Sequence, residues 1–223
     1  MFIEYPKMKT LFKLQPLDEK GRKWSATTGE ILPETAALHY FPLEELVFTE
    51  KIDGTNMAVR IDNSKVTHIQ KRNSICNRED KSDQYYFQIV DEIQETIDSL
   101  IRFDALTNVI IYGELCGVKV QKGGNYFPCR KFLIFDIYDT VEDKFFSWEA
   151  VKHFANELKL ETVPEIEYTK ENLKVENVKD FINNLQSVFN ENFEAEGFVV
   201  RHGKDTSFYR RWMAKIRRKD FKY

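Results

Sequence analysis

A lysine two residues ahead of an Asp-Gly turn is where this chain most clearly places a reactive group. Residues 50 to 56 read Glu50-Lys51-Ile52-Asp53-Gly54-Thr55-Asn56. Asp-Gly by itself is a common strand-to-strand connector. With Lys51 beside the turn and a carboxylate nearby to tune it, the heptapeptide also fits a lysine that attacks phosphorus. A free lysine titrates at about 10.4, and an attacking amine must be neutral. Desolvation or neighbouring cations must therefore lower its pKa. The covalent product is a phosphoramidate to a nucleotide.

Later segments share one design, a charged residue at the end of an apolar run, where a sheet delivers side chains into a cleft. Val109-Ile110-Ile111 leads into Tyr112-Gly113-Glu114-Leu115-Cys116-Gly117. Lys131-Phe132-Leu133-Ile134-Phe135-Asp136-Ile137 follows, then Glu196-Gly197-Phe198-Val199-Val200-Arg201, then Met213-Ala214-Lys215-Ile216-Arg217. Lys71-Arg72 lies about twenty residues after Lys51.

In order and spacing these segments resemble the covalent lysine nucleotidyltransferase superfamily of ATP-dependent ligases and mRNA capping enzymes, as its motifs I, III, IIIa, IV and V. Asn56 and the Lys71-Arg72 pair resemble the RNA ligases, both the nick-sealing phage type and those built around Lys-x-Asp-Gly. The resemblance runs from about Leu46 to about Arg218. It implies an ATP-dependent RNA ligase that joins 3′-hydroxyl and 5′-phosphate RNA ends through a lysyl-AMP and an adenylylated RNA end. Lys51 is then the nucleophile. Glu114 meets the ribose and metal-bound water, and Phe132 stacks on adenine, with ordinary core packing as its rival in a chain of 18 Phe. Asp53, Glu114 and Glu196 hold Mg2+ or Mn2+ through water. Lys215 and Arg217 face the α-phosphate, and their charge lowers the pKa of Lys51. Arg72 meets nucleotide or RNA phosphates or simply occupies a hairpin surface, and Glu50, Ile52 and Asn56 flank the nucleophile as nucleotide-binding positions. The sequence departs from the family at motif V, usually Lys-x-Lys. Arg217 keeps the charge but not the compact ammonium, which puts its role in question. Two rivals are a capping guanylyltransferase using GTP and an RNA-binding protein without catalysis.

Bulk properties agree with a folded enzyme. The 223 residues suffice for one domain with a sizeable core, and 42% hydrophobic and 14% aromatic content argue for a folded chain. A net charge of −3 gives no global sign of nucleic-acid binding, but Arg201 to Tyr223 hold nine Lys/Arg against two Asp. A basic strip on one face can hide in such a total. That strip is expected to grip an RNA backbone. Cys76, Cys116 and Cys129 are odd in number and form no C-x-x-C, which argues against a disulfide framework or structural zinc. No signal peptide and no run of about 20 apolar residues is present. The expectation is a soluble cytoplasmic protein with RNA and an accessory protein as admissible partners, and no membrane.

Hairpin-like strands with interspersed helices indicate an α+β fold with mostly antiparallel sheets. The resemblance adds two sheets forming a nucleotide-binding cleft flanked by helices, in an ATP-grasp-like ligase domain. Expected strands cover 46–51, 57–61, 66–70, 108–115, 131–138, 196–201 and 211–217. Expected helices cover 84–102, Ser147 to about Leu158 with Ser147 as cap, and 176–189. Turn signals fall at Asp18-Glu19-Lys20-Gly21, Thr27-Thr28-Gly29 and Asp62-Asn63-Ser64, with a loop at Lys122-Gly123-Gly124-Asn125. Residues 1–223 are read as one adenylyltransferase domain, with 1–45 as an N-terminal extension packed on it and too little chain on either side for an OB fold.

Overall fold

Period-two apolar runs and tight turns dictate most of the strands. The computed structural model describes residues 3–16, 25–99, 108–120, 126–207 and 211–221. In chain order the elements are β1 (Phe12–Pro16), β2 (Ser25–Ile31), β3 (Leu46–Lys51), β4 (Thr55–Asp62), β5 (Lys65–Lys71), β6 (Ser74–Ile75) and α1 (Gln84–Ser99). There follow β7 (Asn108–Gly117), β8 (Arg130–Asp139), β9 (Lys144–Phe145), α2 (Trp148–Glu157), β10 (Glu161–Thr162), α3 (Val175–Asn184), β11 (Gly197–His202) and β12 (Met213–Arg217). The fold is α+β with mostly antiparallel sheets, as expected.

The chain divides into two compact units. The first comprises Met1–Pro6, Asp53–Val163 and Thr206–Tyr209; the second comprises Lys7–Ile52, Pro164–Asp205 and Arg210–Tyr223. Where one domain with an N-terminal extension was expected, residues 7–45 are thus an integral part of the second unit.

The first unit is built on a seven-stranded sheet in the order β10-β8-β7-β4-β5-β6, with β9 also on β8. All its pairings are antiparallel except β10 with β8. Asn63 and Ser64 take φ of 51° and 59°, the left-handed pair of a two-residue hairpin, so β5 folds straight back on β4. One sheet face carries Ala58, Ile110, Tyr112, Tyr138 and Phe145. α1 packs against β5 and buries Tyr86, Phe87, Val90, Ile93 and Ile97. That spacing of three and four is one face of a helix. The described helix ends at Ser99; the expected extension to 102, the Asp18–Gly21 turn and the Lys122–Asn125 loop lie outside the described residues. α2 starts where Ser147 predicts, its Oγ accepting from the Ala150 amide at 3.3 Å.

In the second unit β11 is the centre of a three-stranded sheet, with β3 on one side and β12 on the other. Its buried face joins Leu46, Phe48, Phe198, Val200, Ala214 and Ile216 with Val178 and Ile182 of α3 and Leu11 and Phe12 of β1. β1 and β2 form a separate hairpin. Thr27-Thr28-Gly29 is not a turn but part of β2, where Gly29 at φ 80° lets the strand kink. α3 is shorter than the expected 176–189. It stops at Asn184, and Leu185 turns extended at ψ 116°, which places Phe189 in a loop. No helix among the described residues is long and apolar enough to span a membrane.

Candidate active site

Directly opposed residues of an antiparallel pair share a sheet face. On β11, Gly197 stands opposite Lys51 of β3 and opposite Arg217 of β12, and Val199 stands opposite Lys215. Lys51, Lys215 and Arg217 therefore rise from the same face, the one turned away from the apolar core. Gly197 fits because a Cβ there would sit 2.0 Å from the Ile216 carbonyl oxygen. Glu196, one residue before β11, accepts a hydrogen bond from Lys51 Nζ, and both side chains are 26% exposed. Three cations and a carboxylate from the expected set are thereby gathered at one end of one sheet. Residues 9–11 cover the outer edge of β12: Lys215 N donates to Lys9 O at 2.9 Å, and Leu11 N donates to Lys215 O at 3.3 Å.

Glu50 lies on the opposite face. It is 1% exposed, and its Oε2 accepts from the Val188 amide at 2.8 Å. Burial pushes its carboxyl above the usual range, opposed by the Ser187 hydroxyl and the Val188 amide. The expectation that Glu50 contacts the nucleotide beside Lys51 does not hold in this arrangement, because consecutive strand residues point apart. Glu50 instead fastens the loop that leads to Glu196. That loop closes on itself through Ser187 N to Phe193 O at 2.8 Å and Ala195 N to Leu185 O at 3.2 Å. Arg218 fastens its base. The buried guanidinium donates to Ala195 O at 3.2 Å, to Asn183 O at 2.9 Å and to Leu185 O, and the Arg218 amide donates to Glu196 O at 2.9 Å. Ile52, next to Lys51, is buried at 3%.

In the first unit the Asp53-Gly54 turn runs against β7. A Cβ on Gly54 would lie 2.4 Å from Leu115 O and 2.8 Å from Glu114 Cγ, so only glycine permits the approach. The Asp53 amide donates to Tyr126 Oη at 3.0 Å, an anchor that no motif or spacing around Tyr126 singles out. Asn56 and Glu114 are cross-strand partners, so these two side chains share a face. Phe132 stands opposite Leu115, and its ring occupies the space that a Gly113 side chain would fill. At 4% exposed it is a core residue in this structure and offers no open face to a base, contrary to the stacking expectation. Arg72 is exposed in the turn between β5 and β6, and among the described residues it has no ion-pair partner.

The basic C-terminal stretch is less available than its composition suggests. Arg201 and Arg218 are buried, Arg211 lies 3.7 Å from Asp205, and Arg217 is paired with Asp220. Lys204 and Lys219 remain exposed.

A search of the curated proteins finds no match. Solved structures do match. The Naegleria gruberi RNA ligase, as a mutant with ATP and Mn, superposes with a TM-score of 0.64 at 17% identity, over 95% of this chain and 56% of that one. The same enzyme with PPi gives 0.57 at 20% identity, over 94% and 61%. A mutant with AMP and Mn gives 0.59 at 20% identity, over 94% and 62%. The chain thus spans less than two thirds of these proteins, and the likeness is one of fold. The family model for RNA ligase matches residues 44–217, which takes in Lys51, Glu114, Glu196, Lys215 and Arg217 together. With most of its length covered by that model, the chain belongs to the RNA ligase family.

Proposed function

We propose that the chain acts as an ATP-dependent RNA ligase with Lys51 as its nucleophile. The observation that carries this reading is the grouping of Lys51, Lys215, Arg217 and Glu196 at one end of the β3-β11-β12 sheet, in a chain of the RNA ligase family. The Naegleria gruberi RNA ligase, which shares this fold, is seen with ATP and Mn, with PPi, and with AMP and Mn; ATP and PPi are the reactant and leaving group of lysine adenylylation, and AMP is the group that step transfers. The Lys51 amine attacks the α-phosphorus of ATP, forms a P–N bond and expels pyrophosphate. AMP then passes to the 5′-phosphate of RNA, and a 3′-hydroxyl displaces it to close the phosphodiester. An ammonium paired with Glu196 cannot attack; the amine becomes nucleophilic once it has lost a proton and left the carboxylate. Lys215 and Arg217 supply fixed positive charge where negative charge develops on phosphate.

Among the described residues no three His, Cys, Asp or Glu converge as direct metal ligands. Carboxylates at Asp53, Glu114 and Glu196 suit contact through water, the mode that magnesium favours. A divalent ion held in that mode neutralises phosphate charge. Glu114 is assigned to the ribose, Asn56 to the nucleotide or the RNA 5′-phosphate, and Arg72 to phosphate.

The test is sealing of a nicked RNA duplex and of single-stranded RNA ends, each 5′-phosphorylated, with ATP and magnesium. The wild type yields joined RNA and a 5′-adenylylated intermediate, and Lys51→Ala yields neither. GTP in place of ATP gives no product. Labelling with GTP alone would instead favour a guanylyltransferase.

A further inference from the structure

The arginine at the second position of motif V comes with a partner. Arg217 Nε donates to Asp220 Oδ2 at 3.0 Å, and Nη2 donates to Oδ1 at 2.8 Å. This is the side-on bidentate pairing of guanidinium with carboxylate. The Asp220 side chain is 4% exposed and that of Arg217 20%, so the carboxylate is fixed inside the second unit while the cation reaches outward. Asp220 sits in the short 3-10 turn Arg218–Phe221 that follows β12, three residues beyond the last residue the family model matches.

A guanidinium carries five N–H donors in a rigid plane. Asp220 takes the Nε/Nη2 edge, and among the described residues Nη1 has no partner. The end-on edge, Nη1 with the second hydrogen of Nη2, is left in a plane set by the carboxylate. Arg217 stands across Gly197 from Lys51, so this edge rises from the lysine face. A lysine at 217 could not reproduce it. A single ammonium is a point charge on a flexible stem, and Asp220 would hold it without leaving a second, oriented pair of donors.

We propose that Asp220 is a positioning residue, which orients Arg217 so that the free edge of its guanidinium binds two oxygens of the ATP phosphates. The inference rests on the ligase reading and deepens it. The pair Arg217/Asp220 then replaces the second lysine of Lys-x-Lys as a unit, and the two residues must be changed together.

The experiment follows lysyl-AMP formation by quenched-flow intact mass at varied ATP. It uses wild type, Asp220→Asn, Arg217→Lys and the double variant Arg217→Lys/Asp220→Asn, with thermal midpoints measured alongside. Asp220→Asn is expected to lower the maximal rate about tenfold, with the half-saturating ATP concentration little changed, because orientation matters most in the transition state. Arg217→Lys alone is expected to be slower than the double variant, since removing the carboxylate frees the ammonium. A merely structural pair would move the thermal midpoints and leave the rates of folded protein alone. If Asp220→Asn folds poorly, the comparison of Arg217→Lys with the double variant still decides. Wild-type rates in folded Asp220→Asn, or a double variant no faster than Arg217→Lys, would overturn the inference while leaving the ligase reading intact. A wild type that takes up no AMP would overturn the ligase reading and this inference with it.

Discussion

Glu50 is a carboxylate kept dry beside Lys51, the proposed nucleophile. Burial raises its pKa above the ordinary glutamate value of 4.5, so the folded state holds this proton more tightly than the unfolded state. Its contribution to stability is full below 4.5 and falls as pH rises through the raised folded value. Glutamine keeps an oxygen for the Val188 amide and does not titrate. Glu50→Gln should therefore flatten the decline of stability above pH 4.5 and be no less stable than wild type at neutral pH, read by urea unfolding across a pH series. Parallel curves for the two proteins would refute this account. Glu50→Ala should cost about 1–3 kcal/mol by stranding the Val188 amide. That Glu50 and Lys51 part company was readable from strand alternation alone, whereas family position argued the opposite. Asp220 was not readable. An aspartate three residues after Arg217 becomes its partner only because the chain turns tightly after β12.

At the level of elements, the segment from α3 to β11 owes its shape to Arg218. One buried guanidinium bonds three carbonyls, at Asn183, Leu185 and Ala195, and so joins the end of α3 to the start of β11. Arg218→Met keeps apolar bulk but removes the guanidinium donor from all three oxygens, leaving Leu185 O with only the Ala195 amide. A loss of about 3 kcal/mol is expected, with faster amide exchange concentrated in residues 185–196. Uniform exchange across the second unit would contradict a local role. The helix periodicity in 176–189 concealed this. Leu185 and Phe189 continue the apolar spacing, but the chain leaves the helix at Leu185, where its carbonyl turns to Arg218 rather than to a helical amide. α2 was legible because Ser147 is a true cap, and the β4–β5 hairpin because Asn63-Ser64 suits left-handed backbone. The β1–β2 hairpin was missed, since residues 7–45 mix short apolar pieces without a clean period.

For the whole molecule, the antiparallel α+β class followed from strands delivered in hairpins, and the family from charged residues at their ends. The division into two units did not, because each unit is assembled from three separate stretches of chain and no linker composition marks the crossings. One of those crossings falls between Ile52 and Asp53, inside the Lys-x-Asp-Gly motif. Net charge was a poor guide as well: four of the arginines after residue 200 are buried or paired within the protein. The proposed ligase activity requires one covalent bond at Lys51. Intact-protein mass should be measured after stripping bound nucleotide with pyrophosphate and then adding ATP and magnesium. A gain of one AMP, about 329 Da, is expected in the wild type and none in Lys51→Ala. An unchanged wild-type mass, or an adduct that persists in Lys51→Ala, would contradict the proposed activity.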